Sequence, residues 1–116
     1  MPEPVGDATM SALHYALNGL SLRQRTIADN TANIETPGYL AGRVSFENEL
    51  KSALLSGGST DIAPAHQSSL EPTRLDGNNV NLDRETVLGT DTNLRYQLMV
   101  RAVDAKFGLL RSAIKG

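Results

Sequence analysis

The sequence predicts a mainly α fold: a long N-terminal and a long C-terminal helix pair antiparallel in coiled-coil fashion, around a short, irregular, β-containing flexible middle segment. Three observations carry this. A seam spaced 3-4-3-4-3-4-3 runs through Met10, Leu13, Leu17, Leu20, Gln24, Ile27, Thr31 and Ile34, mostly apolar, as in a helix that packs lengthwise on another. A second apolar pattern of similar length runs from Val87 to Ile114. Between them the chain is polar and rich in Ser, Gly and Pro. On this reading residues 1–36 and 84–116 form one discontinuous helical domain. Residues 37–83 form the middle segment, with a flexible loop over 56–72.

The first helix is expected from about Thr9 to Ile34, capped by Asp7, and would be roughly 39 Å long at 1.5 Å per residue. Gly19 weakens it slightly. The polar seam positions Gln24 and Thr31, with Asn30 and Asn33 beside them, allow two readings. They are a solvated helix end, or they are amides that hydrogen-bond across to a neighbouring subunit and fix its register. Thr36 precedes a proline and is pushed out of helical geometry, while Pro37-Gly38 suits the centre of a type II turn and places Tyr39 past the corner.

Beyond the turn, Arg43 to Phe46 alternates polar and apolar as a short extended piece, and Phe46 to Leu55 suits a short helix. Asp76 to Asp83, DGNNVNLD, opens on a turn signal and then alternates. Asp83 is a candidate cap for the last helix, with Glu85 favourably placed in its first turn. That helix carries two stripes: Val87, Leu94, Leu98, Ala105, Leu109, and Tyr96, Met99, Val103, Phe107, Leu110, Ile114. Together they exceed what one partner helix covers. Either the surplus faces neighbouring molecules, or the middle segment covers it. Gly89, followed by Thr90 to Asn93, marks where this helix would break.

One modest core is what 116 residues allow, and 40% hydrophobic with 4% aromatic residues suits helix pairs. A net charge of −2 supplies no overall basic field for nucleic acid. The absence of cysteine removes disulfide and thiolate chemistry. The start MPEPVGDATM lacks the features of a secretory signal peptide, and no apolar run approaches the ~20 residues of a membrane span, so direct membrane insertion is not expected. His14 and His66 form no ligand pair, and Asp76 to Val87 fails the calcium-loop spacing. No catalytic constellation, cofactor site or metal site is expected, and no enzymatic activity.

Two motifs resemble one family. LSLRQRTIADNTANIETPGY, Leu20 to Tyr39, resembles the N-terminal signature of the flagellar basal-body rod proteins, of the axial family shared by rod, hook and hook–filament junction subunits. DGNNVNLDRE, Asp76 to Glu85, followed by a helix ending KFGLLRSAIKG, is most similar to proximal rod members. The resemblance covers roughly Leu13 to Leu54 and Asp76 to Gly116. It implies a non-enzymatic rod subunit, exported unfolded through the flagellar type III apparatus without a cleaved signal peptide, and located in the periplasmic rod. It also implies self-association, and contact with other rod proteins and the rod–export-gate adaptor. Packing would then run through Leu13, Leu17, Leu20, Gln24, Ile27, Asn30, Asn33, Leu94, Leu98, Val103, Phe107, Leu110 and Ile114, with Thr36, Pro37, Gly38 and Tyr39 forming the turn. A helical adaptor or export-chaperone-like protein of the same apparatus is the alternative, using the same surplus face.

Overall fold

The computed structural model describes residues 5–56 and 65–115. Helix α1 spans Val5–Ala32, strand β1 Gly42–Ser45, helix α2 Glu47–Ser56, strand β2 Ala65–Ser68 and helix α3 Leu82–Lys115. The two long helices, of 28 and 34 residues, pack antiparallel, so that Asn30 meets Glu85 while Tyr96 and Met99 reach the cluster around Tyr15. The particle is a rod of 63 × 25 × 15 Å. Its 17.8 Å radius of gyration exceeds the ~13 Å of a compact chain this long.

Helix α1 begins before the expected start, so Asp7 lies inside it rather than capping it. Its end tightens: Ile34 N–H bonds to Thr31 C=O at 3.3 Å and Thr36 N–H to Asn33 C=O at 3.0 Å. The chain then turns at Pro37-Gly38. Gly38 has φ +75°, and Tyr39 N–H bonds to Thr36 C=O at 3.2 Å, the pattern of a type II turn. This reversal folds β1 back onto the C-terminal half of α1.

β1 and β2 form a two-stranded antiparallel ladder with Gly42 opposite Ser68 and Val44 opposite His66. The loop expected over 56–72 is thus partly a paired strand, and its residues 57–64 lie outside the described residues. Hydrogen bonds to β1 over-rode a composition that reads as linker. Gly42 allows the close approach, since a Cβ there would fall 2.7 Å from His66 Nε2 and 2.9 Å from Thr26 Cγ2. His66 is therefore a packing neighbour of the strand.

The apolar core is small: Tyr15, Ala16, Leu20, Val44 and Phe46, flanked by Leu22, Leu50, Tyr96 and Met99. Phe46 is its keystone. It meets Tyr15 edge-on at 6.2 Å, and the Arg23 guanidinium lies 4.9 Å from its ring centre. Burying such a ring contributes about 1.5–3 kcal/mol. Phe46 presses directly on Gly19, where a Cβ would come within 2.6 Å of the ring. The glycine that looked like a weakness is the seat of the core aromatic.

The buried stripe of α1 is consequently rotated from the expected seam. Ala12, Tyr15, Ala16, Leu20, Thr26 and Asn30 are buried, whereas Leu13, Leu17, Gln24 and Ile27 are half-buried and Thr31 is exposed. Small residues face inward because β1 and the start of α2 lie against this side. Helix α3 starts one residue before Asp83 and is capped by Asn81, whose Oδ1 accepts from Arg84 N–H at 3.2 Å. It runs unbroken through Gly89, which sits opposite Ile27.

Candidate functional site

Loops that leave a helix without a ladder partner must find other acceptors and donors for their backbone groups. Here asparagine side chains supply them. Asn30 is fully buried; its Nδ2 donates to Gly42 C=O (3.1 Å) and to Glu85 Oε2 (3.1 Å). Its Oδ1 accepts from Gly42 N–H (2.8 Å) and from the Tyr39 hydroxyl (3.4 Å). Asn78, also fully buried, aims Nδ2 at the carbonyls of Asn33, Ile34 and Thr36, at 2.9, 3.0 and 2.9 Å, and so closes the frayed end of α1. Arg74 adds a bond to Ile34 C=O. Asn79 accepts from Ala41 N–H at 2.7 Å and donates to the carbonyls of Ser69 and Glu71. The ANIETPGY and DGNNVNLD segments thus form one asparagine clasp at the elbow of the helix pair.

Glu85 is the second component. Only 1% exposed, it accepts from Asn30 and, at 2.7 Å, from Arg43. Arg43 lies 3.8 Å from Glu71, which in turn pairs with Arg84 at 2.8 Å. The first-turn carboxylate of α3 therefore anchors β1, beyond any favourable interaction with the helix terminus. Buried in its partners, it must be ion-paired to be tolerated.

Electrostatic perturbation elsewhere is modest. Burial, then the nearby Glu49 and Glu47 charges, push the Tyr15 phenol up. Burial, Asp29 and Glu85 do the same for Tyr39, against a small opposing contribution from Asn33. At Glu47 burial pushes upward, but the Arg23 hydrogen bond, the amides of Glu47 and Phe46, and the Arg23 charge together hold the carboxyl below its usual range. An open cleft of about 450 Å³ lies at the elbow against Ile34, Glu71, Arg74 and Val80. Its lining carries no nucleophile with a base beside it. Among the described residues no group of three or more His, Asp or Glu is placed to hold a metal ion, and no helix is long and apolar enough to cross a membrane.

The residues expected to pack divide into distinct groups. Leu20 is in the core, and Leu13, Leu17, Gln24, Ile27, Asn33 and Val103 are half-buried. Leu94, Leu98, Phe107, Leu110 and Ile114 are exposed, Leu98 by 60%. Thr36, Pro37 and Gly38 are exposed at the turn, and Tyr39 is half-buried. Asn30 corrects the register reading. Its amide is fully spent inside the chain, because the TPGY turn lays β1 over it. Asn33 likewise bonds locally, to Asp29 C=O at 2.8 Å, and Thr31 to Ile27 C=O. The stripe Val87, Leu94, Leu98 and Leu109 is exposed from end to end, and the described part of the middle segment does not cover it. Asn78, Asn79, Arg43 and Glu85 were not singled out from sequence as a site. The concentration of asparagines in both motifs was the available signal.

A rod-shaped pair of long helices, locked at one end and apolar along a face left uncovered among the described residues, defines an elongated helical subunit with no catalytic constellation among those residues. No model of a known protein family matches the chain. Individual relatives do. The flagellar basal body rod protein FlgB of Escherichia coli (strain K12) is 34% identical over 122 residues, covering 86% of this chain and 88% of that protein. FlgB of Bacillus subtilis (strain 168) is 31% identical over 93% of this chain and 94% of its own length. FlgB of Borreliella burgdorferi is 31% identical over 88% and 92%. The chain belongs to the FlgB family of flagellar basal body rod proteins.

Proposed function

We propose that the chain builds the proximal part of the flagellar rod, self- and co-assembling through α1 and α3 into the tubular drive shaft of motility. One observation carries this reading: the stripe on α3 stays exposed along the whole helix, with Leu94 at 57%, Leu98 at 60% and Leu109 at 69%. A continuous apolar stripe of this kind marks a surface meant for partners. Leu13, Leu17, Phe107, Leu110 and Ile114 extend the packing surface, and the clasp holds the angle at which the helices are presented. The two terminal segments act as one discontinuous helical unit and residues 37–83 as its elbow. The subunit reaches the periplasmic rod through the flagellar type III export apparatus and meets other rod proteins and the rod–export-gate adaptor there.

The test is the triple variant Leu94→Ser/Leu98→Ser/Leu109→Ser, expressed in a motile bacterium lacking its own FlgB. Exposed substitutions change stability by roughly 0.5 kcal/mol or less each, so the helical circular dichroism of the purified variant should match wild type. Swimming in soft agar is expected to be lost, with no rod in isolated basal bodies. Wild-type swimming by a folded variant would overturn the reading.

A further inference from the structure

The charges of this rod are sorted by end, which the net value of −2 conceals. Residues 96–115 carry Arg101, Lys106, Arg111 and Lys115 against Asp104 alone, and the first half of α1 beside them adds only Asp7. The elbow segments, 27–46 and 69–90, carry six carboxylates against three arginines. Antiparallel pairing sets these regions toward opposite ends of a particle 63 Å long. With a Debye length of ~8 Å at physiological salt, they do not neutralise one another within one molecule.

At the elbow all three arginines are engaged locally, Arg43 by Glu85, Arg84 by Glu71 and Arg74 by Asp76. Glu35 and Asp83 have no ion pair among the described residues, and neither have the four tail cations. Both ends also expose apolar side chains: Leu40, Leu75 and Leu82 at the elbow, Phe107, Leu110 and Ile114 at the tail. The two regions are opposite in charge and alike in apolar exposure.

We propose that the C-terminal part of α3 docks on the elbow of a second copy of this chain, basic tail to acidic elbow. The exposed leucines and Phe107 close over one another between the charges. The proposal rests on assembly through the terminal helices and gives that assembly a direction. Tail-to-tail and elbow-to-elbow encounters bring like charges together and are disfavoured. The contact is heterologous, so it does not close on itself and produces a string of copies with one polarity.

The chain has no cysteine, which allows single-cysteine mapping. Arg111→Cys and Asp83→Cys proteins are mixed in equal amounts and oxidised at low salt. The mixed disulfide dimer is expected to exceed either homodimer several-fold and to fade at about 0.5 M NaCl, where screening is strong. Dominant Arg111→Cys homodimers, or salt-insensitive mixed dimers, would overturn the polarity while leaving assembly through the helices standing. Absence of any association of the wild-type protein in sedimentation would remove both. In a second arm, Arg101→Glu/Lys106→Glu/Arg111→Glu should abolish the variant's self-association, and mixing it with a Glu35→Lys/Asp83→Lys protein, which by itself does not associate either, should restore it. Association unchanged by the tail reversal, or no rescue by the matched partner, counts against the charge pairing.

Discussion

Replacing Asn30 by alanine removes four hydrogen bonds from a fully buried site. The bond from Tyr39, at 3.4 Å, is the weakest, and its half-buried hydroxyl can turn to water. The other three leave Gly42 N–H, Gly42 C=O and Glu85 Oε2 without that partner in a dry site. Each orphaned group costs about 1–3 kcal/mol, with Glu85 and Gly42 C=O toward the low end because Arg43 still donates to both. A total of about 3–5 kcal/mol is expected, a large share of the ~5–15 kcal/mol that holds a domain together. With a urea m-value of about 2 kcal/mol/M, the midpoint should fall by roughly 1.5–2.5 M in denaturation followed by far-UV circular dichroism. Asn33→Ala is the matched control, since its amide bonds a carbonyl at the exposed helix end and its loss should cost under ~1 kcal/mol. If Asn30→Ala fell within about 1 kcal/mol of wild type, or matched Asn33→Ala, the clasp would not be a major source of stability.

Gly19→Ala should destabilise by about 1–3 kcal/mol in thermal or urea unfolding, despite alanine's better helix propensity, because the new methyl meets the Phe46 ring. Combining it with Phe46→Leu should recover part of the loss, and equal costs with and without the second change would contradict the overpacking. Glu47 has a folded-state pKa held down, so its contribution is present above its unfolded pKa and lost as pH falls through the folded value. Stability measured from neutral pH down into the acid range should therefore decline more steeply in wild type than in Glu47→Gln, whose neutral-pH stability should already be lower. Parallel curves for the two proteins would dismiss the Arg23–Glu47 pair as a source of acid sensitivity.

The long helices were readable because their apolar periodicity extends over many turns and their stops carry local chemistry, as at Pro37-Gly38. The inward side of α1 was not. A search for large apolar residues finds Leu13 and Leu17, yet the chain buries Ala12, Ala16 and Gly19, because strand and ring press against that side. Smallness matters there, and periodicity of hydrophobic residues does not register it. The asparagine clasp was also missed, for a different reason. Asn78 reaches Asn33, and Asn79 reaches Ala41, across about forty positions of chain, and no local pattern announces a partner that distant. That α3 carries more apolar face than one helix covers was readable from its two stripes, but whether the middle segment would cover the surplus was not, because a cover supplied from elsewhere in the chain leaves no local pattern.

The clasp reads main chain. Asn30 engages the amide and carbonyl of Gly42, Asn79 the amide of Ala41 and the carbonyls of Ser69 and Glu71, Asn78 the carbonyls of Asn33, Ile34 and Thr36. Most of these contacts carry no information about the side chains at the positions they touch. The burden of specifying the bend therefore falls on three amides, and many of the residues they grip are free to drift. A chain that kept these three amides could change many of the gripped side chains and hold the same bend. Surface chemistry around that bend can then be retuned from species to species without refolding the joint.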